Sequence, residues 1–275
     1  MENSVQKVTG FLKQIFGGPQ KVGLVLGGGG ARGVAHIGVI KVLAENKIPI
    51  YCITGTSSGA IFGALFSGGM NPHDMAKQAR HADWMKLVKF KLSKTGPVSG
   101  EGIEKLITGN ISCKNIEDLA IPLNIVATDL KTGERVVIDH GNIAKAVHAS
   151  AAIPGVFSPV QFQGRLLADG LVVDNVPVEA ARDMGADFII AIDVIPNVIL
   201  GGWLPNVLNV IERSMDINCR RTSETVKRTA DIVIEPVNRN ISALSLNEVD
   251  ELIKMGENAA KDAIPQIKAK LKIPG

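Results

Sequence analysis

The sequence predicts an α/β fold with a mainly parallel but mixed sheet and helices on its faces. Two observations lead there, and a third, the placing of glycine, marks where chemistry is to be sought. From residue 21 onward, short apolar runs alternate with helical stretches, the pattern of strand, crossover helix and parallel strand. Two strand-like runs, 123–127 and 135–138, flank Lys131-Thr-Gly-Glu134, a turn signal that pairs them antiparallel and makes the sheet mixed. Glycine, at 29 of 275 residues, exceeds the usual share of about 7% and lies in short clusters rather than in a repeat.

In chain order, residues 1–20 place Val5, Val8, Leu12, Ile15 and Phe16 at helical spacing, with Lys7 and Lys13 among the polar positions. This amphipathic segment either packs on the domain or lies on a membrane. Without a linker or internal repeat, 21–275 reads as a single domain. Residues 22–26 form a strand, 27–33 a loop, 34–44 a helix and 50–54 a second strand. The stretch 48–73 carries no Asp, Glu, Lys or Arg, yet a β-branched run, a Gly-Thr-Ser-Ser-Gly turn and a short helix explain it better than a membrane span. Asn71-Pro72 opens a helix running to about residue 84. Ser99 is expected to cap the next one, in which Ile103, Leu106 and Ile107 share a face.

Helices follow at 142–149, 178–184 and 206–228, and strands at 165–168, 188–194 and 232–235. Ser245-Leu-Asn-Glu248 has the form of a capping box opening a last helix, with a break expected near Pro265. The eighteen uncharged residues 194–211, including Ile199, Leu200, Trp203 and Leu204, are expected to form an apolar surface loop at the active-site mouth that docks on lipid; packing against the domain or a second protomer is the alternative.

Composition excludes several classes. Hydrophobic residues at 45% and charged residues at 21% fit a folded globular chain. A net charge of +3 from scattered basic residues, with aromatics at 4%, leaves no footprint for nucleic acid. Three distant cysteines encode neither a disulfide framework nor a zinc site. A reducing, cytoplasmic setting is expected, since the N-terminus lacks the h-region of a signal peptide.

The first chemistry-bearing motif is Gly27-Gly-Gly-Gly-Ala-Arg-Gly33, between strand and helix. Residues 28–33 satisfy the dinucleotide fingerprint, but that reading needs an acid at the end of the next strand, and none occurs between Glu45 and Asp74. No Gly-Lys-Ser/Thr follows, so a P-loop fails too. Exposed backbone N–H groups ahead of a helix still suit an anion or a developing oxyanion. A tight strand-helix crossing is the plainer alternative. The second motif, Gly55-Thr-Ser57-Ser-Gly59, stands at a strand-to-helix transition, where a sharp turn presents a serine; Ser57 is the candidate nucleophile.

A serine needs a base. Five histidines exist, none after residue 148, and only one strand-helix unit precedes Ser57, unlike an α/β-hydrolase. His148 with Asp129 stays open on this ground alone. The third motif is Asp169-Gly170 at the end of an extended run, which by itself also fits a turn.

Together these motifs resemble the patatin-like phospholipases. Residues 28–33 are similar to the family's oxyanion loop, 55–59 to its nucleophile elbow, Asp169-Gly170 to its aspartate motif, and Ala149-Ser-Ala-Ala-Ile-Pro154-Gly-Val-Phe157-Ser-Pro159 to the loop before the aspartate strand. The motif-bearing part spans 22–178. The resemblance implies a three-layer α/β/α sandwich and a Ser57–Asp169 dyad. It also implies hydrolysis of lipid esters, of phospholipase, lysophospholipase or esterase type, through an acyl-enzyme with no metal or cofactor. Gly28, Gly29 and Gly30 would hold the oxyanion, and Arg32 would fix the loop or attract an anionic head group. The expected partner is a lipid ester, with peripheral membrane contact and neither nucleic acid nor nucleotide. One departure stands out: Leu171 occupies a position where the family usually has Gly or Ala. A rival reading keeps the fold as a non-catalytic lipid-binding or regulatory protein.

Overall fold

The computed structural model describes residues 20–81, 89–90, 98–196, 206–239, 241–243, 245 and 247–273. The amphipathic stretch before Gln20 and residues 197–205, with Trp203 and Leu204, lie outside the described residues.

Strand β1 (Val22–Leu26) leads through a 3-10 turn (Gly30–Val34) into α1 (Ala35–Glu45) and β2 (Ile50–Thr56), a βαβ unit whose strands pair in parallel. Helix α2 (Ser58–Ser67) follows at once, so the uncharged stretch divides into strand and helix as expected. Among the described residues no helix is long and apolar enough to cross a membrane. Next come α3 (Pro72–His81), the antiparallel pair β3 (Lys89–Phe90) and β4 (Val98–Ser99), and α4 (Glu101–Thr108). Strands β5 (Leu123–Asp129) and β6 (Arg135–Ile138) pair antiparallel across the Lys131 turn. Helix α5 (Ile143–Ser150), β7 (Val160–Phe162), β8 (Arg165–Asp169), α6 (Val178–Asp183), β9 (Phe188–Ile192), α7 (Val207–Lys227), β10 (Ile232–Ile234) and α8 (Val249–Leu271) complete the order.

The main sheet runs β10-β9-β1-β2-β5-β8-β7, with β6 also on β5. Its first five strands are parallel, while β8 and β7 reverse direction in turn. Successive β1 residues point to opposite faces. Val22, Leu24 and Leu26 therefore join a large core with α1, α2 and α8, while Val25 joins a smaller one with Cys52, Ile189 and Val178 and Ala181 of α6. The result is a three-layer α/β/α sandwich.

Several local expectations are corrected. Ser99 belongs to β4 opposite Lys89, and Gly100 precedes α4 with no side-chain cap. The capping box does not form: the Glu248 carboxylate pairs with Arg239 at 3.0 Å and makes no cap bond. Nor does Pro265 break α8. Pro265 and Lys261, whose carbonyl loses its usual helical donor, are both exposed. Water can satisfy that carbonyl, while buried Ala260 and Ile267 hold the helix on the core. Asn142 and Asn206 do cap α5 and α7, accepting from Lys145 N–H at 2.9 Å and Asn209 N–H at 3.0 Å.

Candidate active site

β5 brings the site together. Thr56, the last residue of β2, pairs with Val126, and Asp169, the last of β8, pairs with Ala127. Because β6 runs along residues 125–128 of β5 and a strand has two edges, β2 and β8 share the remaining edge and meet end to end. Ser57, one residue past β2, thus faces Asp169 across 112 residues of sequence, and its Oγ donates to Oδ2 at 2.6 Å.

The elbow is sharp. Ser57 has φ 54° and ψ −121°, a left-handed conformation costing a non-glycine residue roughly 1–3 kcal/mol. Gly59 allows the turn to pack, since a Cβ there would run into the carbonyls of Leu26 and Gly27. Ser57 N–H donates to Ser150 Oγ at 2.9 Å, and Ser150 donates to the Val126 carbonyl at 2.6 Å. This bracing role was not singled out from sequence, although Ser150 lies in the 149–159 stretch that resembles the family's loop.

Asp169 is held from three sides. Its free oxygen accepts Leu171 N–H at 2.9 Å, its carbonyl accepts Thr128 Oγ1 at 2.8 Å, and its N–H donates to Ala152 O at 3.0 Å. Complete burial pushes its carboxyl up to about 7, against the two hydrogen bonds that favour the ionised form. Such a carboxyl can exchange a proton near neutrality. The alternative of His148 with Asp129 is not assembled: His148 Nδ1 lies 2.7 Å from Glu104, and Asp129 binds Lys131 N–H and Arg165.

The glycine loop crosses in front of this pair. The peptide joining Gly27 and Gly28 is clamped at both ends, its carbonyl 2.8 Å from His36 Nε2 and its N–H 3.3 Å from the Asn175 carbonyl. Gly28 must lack a side chain, because a Cβ would stand 2.8 Å from Asn175 Oδ1 and 3.0 Å from Ser57 Cβ. Ala31 N–H is taken by Ala243 O at 2.7 Å and Arg32 N–H by Gly29 O at 3.3 Å. Among the described residues the N–H groups of Gly29 and Gly30 donate to no backbone carbonyl, and both residues line a cavity beside α7. Arg32 is only 2% exposed: Nη1 and Nη2 donate to Asp216 at 2.8 and 2.6 Å, and Nε to the Gly29 carbonyl at 3.1 Å. Of its two expected roles, this geometry serves the first, pinning the loop to α7.

His36 is fully buried, which holds its imidazole down at about 4 despite the Gly27 carbonyl. The unfolded chain therefore binds the extra proton between pH 6.5 and 4. Stability from this group is complete above 6.5 and lost as pH falls through that window, by on the order of 3 kcal/mol. Denaturant midpoints at pH 7.5 and 5 should show a smaller acid loss for His36→Gln than for the parent. An equal loss would remove His36 as its source.

Fold and site define an α/β protein whose elbow serine faces a buried carboxylate and a glycine-rich loop. Residues 24–182 match the patatin-like phospholipase family, and the chain belongs to it. An uncharacterised NTE family protein of Mycobacterium tuberculosis is 35% identical over 215 residues, covering 74% of this chain and 59% of its own. Patatin-like phospholipase domain-containing protein 7 of Rattus norvegicus is 32% identical over 86% of this chain, which spans 20% of that protein. Among solved structures, VipD from Legionella pneumophila superposes with a TM-score of 0.60 at 16% identity, covering 90% of this chain and 67% of its own, a likeness of fold.

Proposed function

We propose that the chain is a serine hydrolase of lipid acyl esters, with Ser57 as nucleophile and Asp169 as its base. The hydrogen bond of 2.6 Å between Ser57 Oγ and the buried Asp169 carboxyl carries this reading. Asp169 accepts the hydroxyl proton as Ser57 attacks the ester carbonyl. The N–H groups of Gly29 and Gly30, with Gly28 behind them, receive the charge that develops on the carbonyl oxygen. Collapse expels the alcohol, which takes the proton back from Asp169 and leaves an acyl-serine. Water then attacks the acyl-serine, Asp169 accepting its proton and returning it to Ser57 as the free acid departs. Membership of the patatin-like phospholipases supports the lipid ester as substrate class.

A second reading, a lipid-binding protein without turnover, is favoured by one observation: Ser57 is 2% exposed and Asp169 fully buried. A fluorophosphonate probe separates the two. The hydrolase should be labelled at Ser57, located by peptide mass mapping, and should release fatty acid from phospholipid or lysophospholipid vesicles. No labelling, under conditions that label a control hydrolase, favours the binding protein.

A further inference from the structure

Leu171, Ile195 and Cys219 pack as a small apolar cluster with Ile153 and Met215, and the same side chains line a cavity of about 40 Å³ that reaches Gly29 and Gly30. Where one water needs about 10–15 Å³, this is room for roughly three water-sized groups. The charged side chains at its wall are engaged: Arg32 with Asp216, and Glu212 with Ala243 N–H and Ser242 Oγ.

Neither Ser57 nor Asp169 lines this cavity, and one hydrogen bond, through Leu171, ties it to the dyad. Gly29 and Gly30 form one wall, and their N–H groups donate to no backbone carbonyl among the described residues. Leu171 forms another wall, and its own N–H is fastened to Asp169 Oδ1 at 2.9 Å. Against Leu171 packs α7, carrying Met215 and Cys219, whose thiol donates to the Leu171 carbonyl at 3.5 Å. An ester whose carbonyl oxygen met the two glycines would have the apolar walls of this cavity within reach of its acyl chain.

We propose that this cavity receives the acyl chain and that Leu171 sets the length it admits. The inference rests on the hydrolase reading for its orientation. The Leu171 isobutyl group occupies space that carbons beyond about the fourth would need, so short acyl groups are taken in with α7 in place. Longer chains must displace it. Trimming Leu171 extends the cavity from its inner wall, and trimming Met215 extends it from the helix side.

The test is a series of p-nitrophenyl esters from acetate to decanoate, read as kcat/KM for the parent, Leu171→Ala and Met215→Ala, with thermal midpoints to establish folding. One methylene in an apolar pocket is worth about 10–200-fold. The decanoate-to-butyrate ratio should therefore rise at least about tenfold in each folded variant. A ratio unmoved in a folded variant overturns the proposal, and Met215→Ala decides it if Leu171→Ala fails to fold. Parent turnover no faster than that of Ser57→Ala would defeat the hydrolase reading instead. The cavity is then judged by titrating butyrate and decanoate into the parent and both variants: selective tightening for decanoate supports it, and equal binding overturns it.

Discussion

Ser57→Ala is expected to abolish ester hydrolysis, a fall of about 10⁴-fold or more, because among the described residues no other hydroxyl bonds the Asp169 carboxylate and could replace that of Ser57. The protein should remain folded. Alanine has the same Cβ at φ 54° and inherits the same strain, and the lost hydrogen bond is worth about 0.5–1.5 kcal/mol. Ser57→Gly should be equally inactive yet more stable than Ser57→Ala by about 1 kcal/mol, since glycine adopts this conformation freely. Ser58→Ala is the control: Ser58 is buried, its Oγ has no hydrogen-bond partner among the described residues, and most activity should survive. Steady-state rates on a soluble ester and thermal midpoints read all three. Turnover by Ser57→Ala at the parental rate would end the assignment.

Asp169→Asn is expected to lower kcat by about 10²–10⁴-fold, the range for losing a positioned base. The pH dependence is the sharper measurement. With its carboxyl near 7, Asp169 is ionised only above neutrality. Parental kcat/KM should therefore climb about tenfold per pH unit below 7 and level off above it, and the residual activity of Asp169→Asn should lack that rise.

Stability should move the other way. The folded protein holds this proton between pH 3.8 and about 7 while the unfolded chain releases it, so the parent loses stability as pH rises through that window. Asp169→Asn escapes the loss, and its advantage in thermal midpoint should be largest at pH 8 and fade toward pH 4. A parental rate profile flat from pH 5 to 8, with Asp169→Asn equally active, would assign proton transfer elsewhere. His148→Gln and His140→Gln should cost far less, both rings lying against other carboxylates.

How much of this was legible beforehand depends on the range of each interaction. Periodicity and turn chemistry act over a few residues. The β1-α1-β2 unit, the Lys131 turn, the starts of α5 and α7 and the elbow at 55–59 could therefore be read from residue order. The failures were local signals overridden from a distance. Glu248 turned to Arg239 instead of closing its box, and Pro265 stayed inside a helix held by core packing on one side and open to water on the other.

By itself the sequence determined most of the strand and helix segments, though not β3, β4 or β7, together with the glycine loop, the elbow serine and the candidate carboxylate. Only the tertiary structure decided their relation. Register placed Thr56 and Asp169 on consecutive residues of β5, and burial raised the Asp169 carboxyl. Arg32 met Asp216 across 184 residues. His36 and Asn175 clamped the first glycine peptide, and Leu171 closed against α7. The physical reason is that strand pairing and desolvation are long-range. They depend on which segments share an edge and which groups lose water, and no window of neighbouring residues contains either.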